Sequence, residues 1–236
     1  MKLSGKALQL VVREYLLLVV GTVIVISPVS GAYSSNDGNL YNEQPLLDAL
    51  EINVTDSSVV ALKAGAQPRV MELSLGEQIR SVRTEGQVCG VVTSERMLAI
   101  SSEPFTWLSM PLTLAEVSAE SYLSTNLVLF ITAERSLVFD GTLNRFSVYD
   151  VAFGERTAAQ TVIPDIAVFT TMERAVGYAA GNPDFEEFPF SAGEIFRRLE
   201  VSVGMVSVIT SDRTLFFQAP AGEWMERERP LDDQGI

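Results

Sequence analysis

The sequence predicts an all-β protein, a five-bladed β-propeller of four-stranded antiparallel blades with about 39 residues per repeat. Three observations support this fold: a tetrapeptide recurring at a fixed interval, short apolar runs bounded by turn residues, and a small-residue–acid pair with the same period. The tetrapeptides begin with threonine, end with arginine and recur at one constant interval, at 93–96, 132–135, 171–174 and 210–213. A fixed period of this size is typical of repeat proteins, in which each copy is one supersecondary unit.

The last unit shows how one repeat is built. An extended stretch of mixed polarity, 195–202, precedes an apolar run at 205–209, and Ser211 with Asp212 then marks a turn. A second apolar run follows, and a break at 220–222 leads into a final extended stretch. Short runs rich in valine, isoleucine, phenylalanine and threonine between turn residues indicate strands. Each unit is therefore predicted to be a meander of four short strands.

Two of the predicted strands are apolar at every position. Residues 127–131 and 166–169 show no alternation between apolar and polar side chains. Because a strand with one face in water alternates, these strands are predicted to be covered on both faces. Blades stacked around a ring provide such cover. The alternative, a two-sheet sandwich, gives no reason for a sequence period.

The repeat fits five times between about residue 38 and residue 232, with four clear units and one degenerate unit. In the first unit, Thr55 and Asp56 are one residue out of phase, and Ser58 stands where arginine is expected. The sequence leaves two ways to close the ring: side-chain packing of the last unit, or a crossing strand formed by residues 45–50.

The chain ahead of the repeats is predicted to be an export segment. Residues 1–32 combine basic Lys2 and Lys6 with an apolar run at 15–26 and small residues at 30–32, as in a signal peptide. Cleavage is the favoured interpretation, and an uncleaved anchor facing outward is the alternative. Residues 33–44 are predicted to be a linker, and residues 45–236 the propeller. The expected location is periplasmic or secreted.

Composition narrows the range of functions. The formal net charge is −13, so a nucleic acid is not expected as a partner. No histidine is present, which removes histidine-based catalysis and the commonest metal ligand. Cys89 is the one cysteine, and its apolar neighbours predict a buried thiol. We expect no metal, no cofactor and no enzymatic activity, with a carboxylate-pair hydrolase as the remaining catalytic alternative.

One arginine per unit closes each repeated turn. A structural interpretation has each guanidinium bound to an acid, and the glutamates recurring once per unit at 77, 116, 155 and 194 are the plausible partners. The alternative is a row of ligand-binding cations. The arginines concerned are Arg96, Arg135, Arg174 and Arg213.

An aromatic side chain also recurs once per unit. Such residues can form stacking platforms for sugar rings, and this is the site expected if the protein binds glycans. The alternative, which the phenylalanines favour, is hydrophobic contact between blades. These residues are Trp107, Phe146, Phe185 and Trp224.

The first strand of each unit is the most polar and differs from unit to unit. If these strands line a central channel, their side chains form an asymmetric wall, which is the predicted ligand-binding surface. A solvated channel without a function is the alternative. The charged residues concerned are Arg80, Arg83, Glu120, Arg197, Arg198 and Glu200.

The run from Val208 to Phe217 joins a valine-rich strand, a Thr-Ser-Asp-Arg turn and a Leu-x-Phe strand. This organisation resembles small bacterial exported β-propellers, and the blade count resembles that of five-bladed lectins. The resemblance implies the fold and does not imply a function. With no catalytic motif in the sequence, we expect a protein-interaction or scaffolding module at the cell envelope, with lectin-like glycan binding as the alternative. Contact with a membrane is expected only through an uncleaved N-terminal segment.

Overall fold

The computed structural model describes Val23–Ile24, residues 49–116 and residues 118–228. These residues form five four-stranded antiparallel sheets, each of which is one blade of a five-bladed β-propeller. The predicted fold class is confirmed. The predicted export segment and linker lie outside the described residues, except for Val23–Ile24. The part of the chain described here contains no helix long and apolar enough to span a bilayer.

The strands follow the chain order within every blade. Blade one contains β1 (Val23–Ile24), β2 (Glu51–Val54), β3 (Ser58–Leu62) and β4 (Arg69–Glu72). Blade two contains β5 (Ile79–Glu85), β6 (Val88–Thr93), β7 (Arg96–Ser101) and β8 (Leu108–Pro111). Blade three contains β9 (Glu120–Leu123), β10 (Leu127–Ile131), β11 (Arg135–Asp140) and β12 (Arg145–Asp150). Blade four contains β13 (Ala159–Ile163), β14 (Ile166–Thr170), β15 (Arg174–Ala179) and β16 (Glu186–Pro189). Blade five contains β17 (Phe196–Ser202), β18 (Met205–Thr210), β19 (Arg213–Gln218) and β20 (Glu223–Glu228).

The first strand of blade one comes from far upstream. In β1, Val23 pairs with Val54 and Ile24 pairs with Asn53 in antiparallel register. The alternative of a crossing strand at residues 45–50 is not observed at Ala49 and Leu50, and residues 45–48 lie outside the described range. β1 is therefore the first strand of blade one.

The hydrophobic core lies between the blades. In blades two to four, the second and third strands are buried at nearly every position, which matches the missing alternation in their sequences. Four clusters of buried side chains join successive blades. Residues from the two blades that meet in each cluster include Val59 with Leu98, Met97 with Phe130, Leu129 with Phe169, and Val168 with Phe217.

The recurring threonine is explained by turn geometry. In blade two, the Thr93 hydroxyl accepts hydrogen bonds from the backbone N–H groups of Glu95 (3.1 Å) and Arg96 (2.9 Å) and donates to the Arg96 carbonyl (3.0 Å). A hydroxyl that bonds nearby backbone groups in this way stabilises a tight turn. In blades three to five the threonine hydroxyl accepts the same N–H bond from arginine, and its single hydrogen is shared between the arginine carbonyl and the carboxylate of the repeated glutamate.

The propeller has two distinct ends. The turns between second and third strands lie beside the loops that connect successive blades, because Arg96 in the first of these turns bonds Glu77 in a connecting loop. We call this the arginine end; it comprises residues 73–78 and 93–96 and their equivalents in the later blades. The remaining turns form the opposite end, where the Ser102 N–H donates to the Gln87 carbonyl.

Candidate functional site

The four repeated arginines form ion pairs with the four repeated glutamates. Each arginine pairs with the glutamate of the loop that leads into its own blade, and the pairs are Arg96–Glu77 (2.9 Å), Arg135–Glu116 (2.8 Å), Arg174–Glu155 (3.0 Å) and Arg213–Glu194 (2.8 Å). Each guanidinium and its carboxylate therefore hold a turn against a connecting loop of the arginine end.

The pair in blade three shows the full set of contacts. The Glu116 side chain is fully buried, and it accepts hydrogen bonds from Arg135 Nε, Arg135 Nη2, Thr132 Oγ1 and the Thr113 N–H, all between 2.6 and 2.8 Å. Arg135 Nη2 also donates to the carbonyl of Pro111, which belongs to blade two (2.6 Å). A charge-assisted bond at each oxygen compensates for the loss of water around the carboxylate. The network thus connects neighbouring blades.

The first blade keeps the turn without the ion pair. The Thr55 hydroxyl accepts a hydrogen bond from the Ser58 N–H (3.0 Å) and also bonds the Ser58 side chain (2.9 Å). Ser58 occupies the arginine position, as the degenerate first repeat in the sequence indicates. A hydroxyl group therefore replaces the charged connection in this blade.

The recurring aromatic side chains lie against the interblade core. Trp107 is buried, and its indole N–H donates to the Arg69 carbonyl of blade one (3.0 Å). Trp224 donates in the same way to the Glu186 carbonyl of blade four (2.9 Å). Phe146 and Phe185 pack in the clusters on either side of blade three. These four aromatic side chains therefore serve the packing between blades, and they do not form a row of open ring faces.

The charged residues of the first strands have separate surroundings. Arg80 and Arg197 are exposed and sit at equivalent register shifts in β5 and β17. Arg198 and Glu200 form an exposed ion pair on β17 (2.7 Å). Arg83 and Glu120 lie on the neighbouring strands β5 and β9. The predicted channel wall is therefore divided between two parts of the ring. One part, on β5 and β9, holds Arg80, Arg83 and Glu120, and the other, on β17, holds Arg197, Arg198 and Glu200.

A cleft of about 440 Å³ lies between the first strands of blades two, three and four. Its lining includes the predicted residue Arg83, and nine residues contribute in all: Val82, Arg83, Thr84, Glu85, Tyr122, Leu123, Gln160, Thr161 and Val162. Tyr122, Gln160 and Thr161 are uncharged, so the prediction of a channel wall from charged side chains does not include them. The repeat period does relate these residues to Arg83, since Arg83, Tyr122 and Thr161 occupy the same position in three successive repeats.

Tyr122 connects the groups in this cleft. Its hydroxyl donates a hydrogen bond to the Glu120 carboxylate. Burial and the Glu120 carboxylate raise the pKa of Tyr122, against the opposing effects of a hydrogen bond with Gln160 and the charge of Arg83. The phenol therefore stays protonated at neutral pH and lies within reach of side chains from three blades.

The arginine end carries exposed apolar side chains at one repeated position. Leu75, Leu114 and Phe153 are fully exposed, and they occupy the same place in the loops that lead into blades two, three and four. The equivalent residue before blade five is the exposed Ala192. Met172 is exposed in the adjoining turn of blade four.

Acidic side chains surround these apolar groups. The third residue of each repeated turn is an exposed acid, and these residues are Glu95, Glu134, Glu173 and Asp212. The arginines beside them are bound to the buried glutamates, and Arg174 also lies 3.6 Å from Glu173, so the exposed acids outnumber the unpaired cations in these turns. The arginine end is therefore both apolar and anionic.

Cys89 has no exposed surface. Burial raises the pKa of its thiol to about 12, so the thiol stays protonated at neutral pH. Its neighbours in the first interblade cluster are apolar. The prediction of a buried cysteine is confirmed.

The buried glutamates predict a loss of stability in acid. Although burial alone would raise the pKa values of Glu77, Glu116 and Glu194, hydrogen bonds from arginine, threonine and backbone groups hold these values below the ordinary 4.5. Their contribution is complete above about pH 4.5 and is lost as the pH falls through the lowered folded-state values. We expect the urea midpoint to stay level near neutrality and to drop as the pH falls below about 4.5. A Glu116→Gln variant should show a shallower drop, and an unchanged midpoint at pH 3 would contradict the assignment.

Comparisons with known proteins give structural likenesses only. No family model matches the chain, and a search of curated proteins finds no match. Among solved propeller-type structures, Kluyveromyces lactis Hsv2 is 13% identical with a TM-score of 0.38 over 79% of this chain and 62% of that one. The N-terminal domain of Nup159 is 11% identical, with a TM-score of 0.35 over 77% and 58% of the two chains. A complex of KlAtg21 with the coiled-coil of AgAtg16 gives 12% identity and a TM-score of 0.39 over 77% and 68%. The chain spans about three fifths of the length of Hsv2 and of the Nup159 domain.

Proposed function

We propose that the protein is an exported, non-catalytic binding module that recruits a protein partner at the cell envelope through its arginine end. The single observation that carries the proposal is the repeated, fully exposed position of Leu75, Leu114 and Phe153. Exposed apolar side chains that recur at one end of a protein and are flanked by polar residues favour an interaction site at that end. The basic and apolar N-terminal segment supports export.

The chemistry of the arginine end favours one kind of partner. Exposed leucine and phenylalanine side chains bind apolar groups, and the surrounding Glu95, Glu134 and Glu173 favour cations. The matching partner surface combines apolar side chains with lysine or arginine. An anionic lipid surface would be repelled by the same acids.

The shifted carboxyl groups support a role without catalysis. The pKa values of Glu77, Glu116, Glu187 and Glu194 are all lowered. A general acid of the carboxylate type needs a raised pKa at neutral pH. Each of these glutamates also has a protein hydrogen-bond donor as its partner.

The test compares capture of partners by two variants. In a pull-down from an envelope extract, the Leu75→Ser/Leu114→Ser/Phe153→Ser variant should lose the proteins retained by the wild type, while its thermal unfolding stays unchanged. The matched control is Val203→Ser, since Val203 is fully exposed at the opposite end. Equal capture by the triple variant, or loss of capture in the Val203 variant, would refute the assigned surface. Capture by the wild type should also weaken with added salt.

A further inference from the structure

We propose that the cleft between the first strands of blades two, three and four binds a small hydroxylated carboxylate, an acidic sugar in size and chemistry. The site is separate from the arginine end, because Arg83 and Glu85 lie where β5 leads into the turn at the opposite end. The proposal therefore goes beyond recruitment of a protein partner.

The first argument is the chemical variation at one repeated position. The positions that hold the fold keep one residue type in blades two to five, as the threonine and the arginine of the turns do. The equivalent first-strand position instead carries Arg83, Tyr122, Thr161 and Glu200. A position that holds the fold would keep one residue type, so this position makes no repeated structural contact. A ligand without symmetry would use such differences between blades.

The second argument is the set of groups that the cleft offers. Within the described part of the chain, the Arg83 guanidinium forms no ion pair, and it faces a cleft of about 440 Å³. A guanidinium binds a carboxylate through two parallel hydrogen bonds. The volume falls in the range of small-molecule sites.

The remaining lining residues match hydroxyl groups and an apolar ring face. The Gln160 amide and the Thr161 hydroxyl can donate or accept hydrogen bonds, and Glu85 can accept them. Val82, Leu123 and Val162 supply an apolar surface beside these polar groups. A hydroxylated ring has this combination of polar edge and apolar face.

The charges allow at most one negative charge on the ligand. Arg83 is the one cation among the nine lining residues, and Glu85 is an acid in the same cleft. The Glu120 carboxylate close by already accepts a hydrogen bond from Tyr122. A dianionic phosphate would place two negative charges beside Glu85 with Arg83 as the single compensating cation. A monocarboxylate would place only one negative charge there, which Arg83 can pair.

The experiment is a calorimetric or NMR titration of the full chain with galacturonate, with neutral galactose and inorganic phosphate as comparison ligands. We expect saturable binding of galacturonate with a dissociation constant of about 1 mM or lower. Galactose and phosphate should each bind at least about tenfold more weakly, which corresponds to a difference of about 1.4 kcal/mol.

The variants separate the cleft from general charge effects. Arg83→Gln should weaken galacturonate binding at least about tenfold, and Arg197→Gln should leave it unchanged, because Arg197 is an exposed arginine of β17 outside the cleft. Unfolding curves confirm that both variants are folded. Absence of saturable galacturonate binding, equal affinity for galactose, or full binding by Arg83→Gln would each overturn the proposal.

Discussion

Replacing Arg135 by alanine is expected to lower the free energy of unfolding by about 3–5 kcal/mol. The substitution leaves the fully buried Glu116 carboxylate without its cation and removes the bond to Pro111 in the preceding blade. Breaking a buried pair from one side costs more than the pair itself contributes, because a charge stays in the interior without a partner. Chemical denaturation at pH 7 measures the effect.

Two comparisons make this prediction specific. Arg198→Ala removes an arginine from the exposed pair with Glu200 and should cost less than about 1 kcal/mol. The Arg135→Met/Glu116→Leu double variant should be more stable than Arg135→Ala, since it leaves no buried charge. If Arg135→Ala cost no more than Arg198→Ala, the structural role of the repeated arginines would be wrong.

Replacing Asp140 by alanine is expected to cost about 3 kcal/mol or more. The Asp140 side chain is buried at the end of β11, and each oxygen accepts two hydrogen bonds. One oxygen bonds the backbone N–H groups of Thr142 and Leu143, and the other bonds the Tyr178 hydroxyl and the Gly181 N–H of blade four. Without the carboxylate, the buried Tyr178 hydroxyl and three partly buried backbone N–H groups lose their acceptor.

The partners of Asp140 supply the controls. Asp184→Ala alters an exposed aspartate in the loop after β15, and its midpoint should match that of the wild type. The Asp140→Ala/Tyr178→Phe variant should lose less than the sum of its single variants, because the phenylalanine removes one unsatisfied donor. Strict additivity of the two changes would show that the bond between these side chains is absent in solution. The wild-type pKa of Tyr178 is raised by burial and by Asp140.

The sequence predicts the fold because the repeat marks the same turn in each of the four clear units. The four threonine turns, the meander of strands and the doubly covered second strands, such as 127–131, follow from spacing and composition alone. Local hydrogen bonds fix these features, since the Thr132 hydroxyl bonds the backbone of Arg135 within the same turn. The arginines and the glutamates share the period, so each arginine has one glutamate at a constant distance along the sequence.

Contacts between blades are harder to predict from the sequence than the turns and strands within a blade. Gly177 lies in β15 with the Phe217 ring against its α-carbon, so that an added methyl group would come within 2.5 Å of the ring. Nothing in the local sequence around Gly177 indicates a residue of the next blade as its neighbour. The cleft is equally hard to predict from the sequence, because Tyr122 and Gln160 belong to different blades and come together only when these blades stack. The pairing of β1 with β2 lies outside the repeat and has no period to reveal it.

Hydrogen exchange of the unmodified protein tests the central claim most directly, which is that neighbouring blades shield each other's second and third strands from water. In blades two to four these strands are buried on both faces, whereas the outermost strands β8, β12 and β16 are partly exposed. We predict that peptides covering β6, β10 and β14 exchange last, at the rate of global unfolding. Exchange of the second strands as fast as that of the outermost strands would contradict the stacked arrangement of blades.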